Sequence, residues 1–594
     1  MKHAKQPILL TALLVGGAIT GLAACGGGGG GGGSASEASA STAVGNSAST
    51  TSNAPAASET PYAAPPAQPS LALPVLSLPA APASGAVLAL ECGRTYRGTL
   101  DLRGKANVTV RTAGDCGKAT ISPGREITGW TRHQGNIWSA PVDFAAAQLS
   151  VGGQPQRLAH WPSRAQGWAR AESSSAGSLR YAMPSSDLVG ARLLFRPYEW
   201  AMEARTITGY ANGTMALAST GDANYDGYAL EGQPDFYVEG KLWMLDEAGE
   251  WAQSGDRLYV WTADGQSPEG RAWASPDAHG INAANSSSVR IEGVSIFGAT
   301  DGIHARDAGG LQVRDVDIAN SAGNGIMNSG GSGLRVEGGS IRNSRHDAIA
   351  VKWGGGGEHI SRVRIDAAGS LGMPVNAHAA INLTAGNGAT VSGNTVTNAG
   401  YIGIRTFRDS VVTGNVVDGA CLMLTDCGGI FNSARDGLPL NARIENNTIR
   451  RVGVGQRLAW AVYLGDGANG VTVSGNTIAG NGNGMLLFDG HDVTVRGNDF
   501  SASSQAHIQM AETAAGRVRR NSVTQNSFSS RNGEETYRLS SDAGTASVAQ
   551  FATMDANQYR SASSIFANYN GEPLGYAQWK QRTGQDGSSS YAAP

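Results

Sequence analysis

Between residues 280 and 508 a small residue followed by an apolar one recurs at near-constant spacing: Gly280-Ile281, Gly302-Ile303, Gly325-Ile326, Ala348-Ile349, Ala380-Ile381, Gly403-Ile404, Gly429-Ile430, Ala461-Val462 and Gly484-Met485, with His507-Ile508 continuing the series. Six of the nine intervals are 22 or 23 residues; the others are 26 after Ile404 and 32 after Ile349 and after Ile430. Between these pairs lie alternating triplets such as Val289-Arg290-Ile291, Leu311-Gln312-Val313, Leu334-Arg335-Val336, Val471-Thr472-Val473 and Val493-Thr494-Val495. Alternation with period two marks short half-buried strands. A coil of such strands is too small to bury a core alone, so successive coils must stack as an all-β solenoid. Asn394, Asn415, Asn447, Asn476 and Asn498 fall on one turn of successive coils, where stacked amides bond along the ladder. A leucine-rich repeat would need more Leu and a helix per repeat, and a propeller roughly 40 residues per blade.

If the recurring apolar residue points inward, its successor points outward, and coils stack at about 4.8 Å. That outward column reads Asn282, His304, Met327, Ala350, Asn382, Arg405, Phe431, Tyr463, Leu486 and Gln509. Three places before the apolar residue, a second column reads His346, His378, Tyr401 and Cys427. Both become polar and aromatic over the coils from Ile349 to Met485, which also carry the long intervals, so a groove there is the expected site. Its expected substrate contacts are His346, Lys352, His378, Asn382, Tyr401, Arg405, Phe431 and Tyr463.

Glycosidic hydrolysis normally uses two carboxyl groups, about 5 to 5.5 Å apart for retention and about 6.5 to 9.5 Å for inversion. Asp347, Asp426 and Asp466 are the candidates; Asp489 repeats the position of Asp466 one coil later and reads as a turn residue. Elimination on a uronate would instead use a base and cations, for which His346, His378 or Tyr401 and Lys352, Arg405 or Arg408 stand in overlapping coils. A non-catalytic carbohydrate-binding solenoid is the third class. Neither a phosphate loop nor a nucleophile elbow stands in a strand-to-helix context. With no nonapeptide Ca²⁺ repeat and no dense carboxylate cluster, no metal or cofactor is expected.

Composition narrows the partners. A net charge of −3 gives no basic footprint for nucleic acid, and 41% hydrophobic residues with 12 Trp exclude wholesale disorder. Nine of those Trp lie between Trp130 and Trp273, where core packing is the commoner fate and stacking on sugars the alternative. At the N-terminus, Lys2, His3 and Lys5 precede the apolar run Ile8 to Ile19, which is too short to span a bilayer and reads as a signal-peptide core. Leu22-Ala23-Ala24-Cys25 resembles the bacterial lipoprotein signal, which implies acylation at Cys25. Gly26 and Gly27, in place of an acidic retention residue, favour the outer membrane. Residues 25–84, rich in Gly, Ser, Ala and Pro, are a flexible tether. The remaining Cys92, Cys116, Cys421 and Cys427 are compatible with two bridges in an oxidising compartment. Pairing Cys92 with Cys116 and Cys421 with Cys427 is favoured among the three connectivities the sequence leaves open. No oligomer is indicated, so a monomer is expected.

The repeat resembles the right-handed parallel β-helix of the pectate-lyase-like superfamily over roughly residues 85–535. Gln148-Leu149-Ser150-Val151-Gly152-Gly153, His160-Trp161-Pro162, the segment Phe236 to Leu242 and the segment Leu245 to Trp251 resemble glycoside-hydrolase-type β-helices with an inserted β-sandwich. Ala577-Gln578-Trp579 to Gln585-Asp586 resembles a C-terminal element of polysaccharide-active β-helices. To the signal peptide (1–24) and tether (25–84) read from the N-terminal residues, the resemblance adds a cap and first coil (85–125), inserted β-sandwich (126–275), main β-helix (276–535) and C-terminal cap (536–594). It also implies hydrolysis of a polysaccharide. Leu424-Thr425-Asp426-Cys427-Gly428-Gly429-Ile430 resembles the family's acidic-glycine segment, and Val462-Tyr463-Leu464-Gly465-Asp466-Gly467 its paired-acid turn. Thr425 and Gly465 stand where a second Asp is common. Asp347 and Asp426 lie three coils apart, about 14 Å by stacking alone, and Asp426 and Asp466 toward opposite strand ends.

Overall fold

The computed structural model describes residues 71, 74–219, 230–370, 379–384, 386–545 and 547–593, all within one compact unit, Ala64–Pro594. Cys25, the signal sequence, most of the tether and His378 lie outside the described residues. No described helix is long and apolar enough to cross a membrane.

Among the described residues, three sheets run the length of the molecule, parallel throughout except for the last strand of the third, Glu572–Leu574, which is antiparallel. The first has 15 strands from Leu76–Ser77 to Ser590–Ala592, the second 13 from Val87–Glu91 to Ala552–Asp555, and the third 14, beginning at Leu100–Asp101. The chain visits the sheets in turn, coil after coil, forming a right-handed parallel β-helix. In the third sheet Ile281, Ile303, Ile326, Ile349, Ile381, Ile404, Ile430, Val462, Met485 and Ile508 are successive register partners. All are at most 1% exposed. The small residue before all but the last of these, which follows His507, faces a crowded corner. A Cβ built on Gly325 would lie 2.5 Å from both Ala348 O and Ile341 Cγ2, so the repeated pair records a steric limit.

The Asn ladder lies inside the coil at another corner. Asn415 donates its backbone N–H and its Nδ2 to Asn447 Oδ1, both at 2.9 Å. Asn447 repeats this to Asn476 Oδ1 at 2.9 and 3.0 Å. Each Nδ2 also donates to a backbone carbonyl of the preceding coil, such as Val412 O for Asn447. The ladder starts at Asn394 and continues past Asn498 through Asn526 to Asn557, all at most 1% exposed. The buried amides thereby satisfy one another along the stack.

The insertion leaves after Arg125–Glu126 and returns at Ala272–Ser275, two segments paired antiparallel. Between them, a five-stranded and an eight-stranded sheet contribute to a shared core that includes Phe195, Leu193, Phe236 and Ala252. Three of the Trp in this region, Trp130, Trp251 and Trp273, are buried. Both favoured disulfides are present, Cys92–Cys116 and Cys421–Cys427.

Two expected boundaries move. Strand pairing begins at Leu76 rather than after residue 84, because Leu76 and Ser77 pair with Tyr96 and Arg97. At the other end coils continue past 535: Glu535–Ser541 pairs with Ala567–Tyr569, and Gln558–Ser561 with Ser590–Ala592. The aliphatic period stops there because aromatic rings take over the core. Phe500 stacks on Phe528 at 5.0 Å, and Phe528 on Tyr559 at 5.3 Å. The helix Tyr576–Thr583 closes this end by burying Trp579, whose Nε1 donates to Asp586 Oδ2 at 2.9 Å.

Replacing Asn447 by Ala removes the acceptor of Asn415 N and Nδ2 and the side-chain donor to Val412 O, while Asn476 Oδ1 keeps the backbone N–H of residue 447. Urea unfolding of Asn447→Ala is expected to show a loss of about 3 kcal/mol, from orphaned buried groups at ~1–3 kcal/mol each, and less for Asn557→Ala at the ladder's end.

Candidate functional site

The outward column of the third sheet runs across the coils where the groove is expected. Ala350, Asn382, Arg405, Phe431, Tyr463 and Leu486 are consecutive register partners on it. Arg405 lies over the Phe431 ring at 5.3 Å, and Phe431 meets Tyr463 edge-on at 4.9 Å. Burial holds the Arg405 guanidinium below its ordinary value, while the Tyr401, Asp347 and Asp466 charges oppose that shift.

Asp426 is the chemically distinctive residue here. It ends the loop closed by the Cys421–Cys427 bridge and has a left-handed backbone, φ 53°. Tyr401 OH donates to its carbonyl at 2.8 Å, and Tyr463 OH to its carboxylate Oδ1 at 3.0 Å. Burial raises the Asp426 pKa; the Tyr463 hydrogen bond lowers it, and the Asp466 and Glu199 charges raise it further. Asp466, on the other strand end, is ion-paired with Arg435 at 2.9 Å. A Cβ built on Gly465 would lie 2.7 Å from Tyr463 Cε2. The position of the absent second Asp is therefore taken by the ring that contacts Asp426.

Glu199, which the repeat does not reveal, completes the acidic cluster. It sits between the insertion strands Arg192–Tyr198 and Ala201–Ala211. Thr425 donates its backbone N–H to Glu199 O at 3.1 Å and its hydroxyl to Glu199 Oε2 at 3.4 Å. Arg196 of the same hairpin donates to Met423 O at 3.0 Å. Tyr198 and Trp200, on either side of Glu199 in sequence, stack at 4.8 Å. The insertion thus roofs the loop that carries Asp426 and supplies a carboxyl beside Thr425. A cavity of about 250 Å³ adjoins this roof, lined in part by Arg157, His160, Trp168, Tyr237, Arg345 and Met423.

The other expected residues take supporting positions. Asp347 is fully buried; its Oδ1 accepts from Ala379 N at 2.8 Å and Asn382 Nδ2 at 3.1 Å, and its Oδ2 pairs with Lys352 at 2.9 Å. This corrects its expected catalytic role, since a carboxylate so enclosed cannot meet a substrate. Asn382, 1% exposed, and Lys352 serve the same anchor rather than the groove. Arg408 is ion-paired with Asp436, and Asp489 accepts from Thr513 N and Oγ1 at 2.9 and 2.8 Å as a turn residue. His346 is half-buried and follows Arg345, which pairs with Glu239 at 2.7 Å. Trp353, 76% exposed, stands beyond Lys352 at the opposite edge of the sheet from the Asp426 loop.

Residues 279–449 and 460–558 match the family described as "Right handed beta helix region". Among solved structures, one described as a glycoside hydrolase is 15% identical, with 70% of this chain and 90% of that chain covered at a TM-score of 0.49. A complex of XylC with xylose is 10% identical, covering 86% and 78% at a TM-score of 0.34. A tailspike protein of E. coli bacteriophage HK620 in complex with a pentasaccharide is 13% identical, covering 50% and 68% at a TM-score of 0.34. No curated protein matches the chain.

The Cys421–Cys427 bridge holds Asp426 under the hairpin. The double variant Cys421→Ser, Cys427→Ser is expected to lose about 2 kcal/mol of unfolding free energy, the chain-entropy figure for so short a loop. Limited proteolysis of the folded variant should cut between Leu422 and Asp426, where the parent resists.

Proposed function

We propose that this right-handed parallel β-helix protein is a polysaccharide-degrading glycoside hydrolase, cleaving a glycosidic bond in the groove between the third sheet and the insertion hairpin. The observation that carries the reading is the Asp426 carboxyl, whose protonated form is favoured by burial and by the Asp466 and Glu199 charges. A carboxylic acid with a raised pKa is the group that protonates a leaving glycosidic oxygen. Asp466 is the second carboxyl, opposing the positive charge that develops on the sugar. Phe431, Tyr463 and Arg405 form the floor against which sugar rings pack, and Tyr198 and Trp200 the opposite wall. The reaction needs no cofactor, and the chain acts as a monomer.

Elimination on a uronate polymer is the second reading, supported by one arrangement: Arg405 faces the groove with the Tyr401 hydroxyl close enough to influence it. The chain is further proposed to be anchored to a bacterial outer membrane by acylated Cys25. Cys25→Ser is expected to move the protein from the membrane pellet to the soluble fraction and to abolish incorporation of labelled palmitate.

That soluble variant, incubated with neutral and uronic-acid polysaccharides, is expected to release reducing ends without the ultraviolet absorbance of an unsaturated uronate. Asp426→Asn should reduce the rate by about 10²–10⁴-fold. Absorbance rising with the reducing ends would establish elimination instead, and neither signal on any polymer a binding solenoid. The pH profile tests the acid. Activity should fall as pH rises through the Asp426 pKa. Glu199→Gln removes a neighbouring negative charge and should move that limb to lower pH, whereas Tyr463→Phe removes a hydrogen bond to the ionised form and should move it higher.

A further inference from the structure

We infer that His279, Asp301 and His304 form a binding site for one divalent transition-metal ion of the Zn²⁺ type, which clamps the coil where the insertion re-enters the β-helix to the coil that follows. His279 precedes the strand Ile281–Asn282, and its carbonyl accepts from Thr99 Oγ1 at 2.6 Å. That strand pairs on one side with Leu100–Asp101, from before the insertion, and on the other with Ile303–His304. Chain segments about 180 residues apart in sequence therefore meet at this point.

The three side chains converge. His304 Nδ1 lies 2.8 Å and His279 Nδ1 3.7 Å from the same oxygen, Asp301 Oδ2. The two rings stack with centroids 4.2 Å apart. Asp301 Oδ1 is occupied, accepting from Asn324 N at 2.8 Å and Asn324 Nδ2 at 3.0 Å, which fixes the carboxylate and aims Oδ2 at the imidazoles. His279 Nδ1 is buried and has no hydrogen-bond partner among the described residues. A single oxygen serves one imidazole at hydrogen-bond distance and leaves the second short; an ion between them would satisfy all three groups.

The donor chemistry selects the ion. Two imidazole nitrogens and one carboxylate suit Zn²⁺, Co²⁺ or Ni²⁺, whereas Ca²⁺ and Mg²⁺ take oxygen ligands. One ligand atom from each residue lies within 4.8 Å of the others. Ligands of one ion at about 2.1 Å stand up to about 4.2 Å apart, so a side-chain shift of about 0.6 Å, with ring rotation, closes the site. The site is separate from Asp426: Ile430, in the strand that follows Asp426, lies five coils beyond Ile303, or about 24 Å by stacking.

The test titrates the full chain, purified without a histidine tag, with Zn²⁺, Co²⁺ and Ca²⁺ by calorimetry, and follows thermal unfolding with each ion. One equivalent of Zn²⁺ or Co²⁺ is expected to bind and raise the midpoint, with no effect of Ca²⁺. His279→Ala and His304→Ala, both at partly exposed positions, should each weaken binding at least about 10-fold and remove the thermal shift while leaving circular dichroism unchanged. Absence of stoichiometric binding to the parent, or equal affinity and equal stabilisation in the His279→Ala, His304→Ala double variant, would overturn the inference.

Discussion

A polar group turned into the corner of a solenoid meets no water, so its partner must come from the coil above or below. The Asn394 to Asn557 ladder meets that demand: between its two ends each carboxamide oxygen takes two protons from the preceding coil, and each nitrogen gives both of its own away. Any slip of register would break these bonds one after another, which fixes the coils from Asn394 onward in rotation as well as in spacing. The steric corner at Gly325 and the equivalent glycines acts similarly, leaving no room for a larger side chain. An outward face held this rigidly can present Arg405, Phe431 and Tyr463 as a straight row.

What makes that row more than a ladder is the local departure from it. Asp426 leaves the β conformation, and a six-residue disulfide span and a hairpin from the insertion hold it there. Tyr463 touches Asp426 because Gly465 gives its ring room. The regular coils supply a straight row, and the irregular loop sets a carboxyl against it. Asp347 shows the converse: a carboxylate used entirely to tie Lys352, Ala379 and Asn382 together, and so removed from solvent.

The β-helix is legible in the sequence because one residue pair repeats at one interval, and the interval alone places Asn282, His304, Asn382, Arg405, Phe431 and Tyr463 in a single column. Periodicity gives a residue's facing but not its neighbours from elsewhere in the chain. Glu199 lies 226 residues from Thr425 and outside the repeat, so nothing in the pattern connects them. For the same reason Asp347 looks equivalent to Asp426 in sequence: both precede a strand of the third sheet, and only packing shows which carboxyl is enclosed. The terminal coils escape the pattern because Phe528, Tyr537 and Tyr559 fill the core there without the aliphatic signature. The His279, Asp301 and His304 group is likewise split between two coils, and no short motif announces it.

The hairpin over Asp426 also imposes an order in time. A chain made from its N-terminus completes the strands around Glu199 well before the segment Cys421–Cys427 exists, so the roof is built before the floor it will cover. Until the later coils add themselves, the underside of the hairpin has nothing to rest on. Three contacts, from Arg196 to Met423 and from Thr425 to Glu199, then seat a loop made 226 residues after Glu199 against a surface already set. Late assembly of this kind leaves the hairpin without its facing loop until synthesis has passed Cys427, and joins the two only from then on.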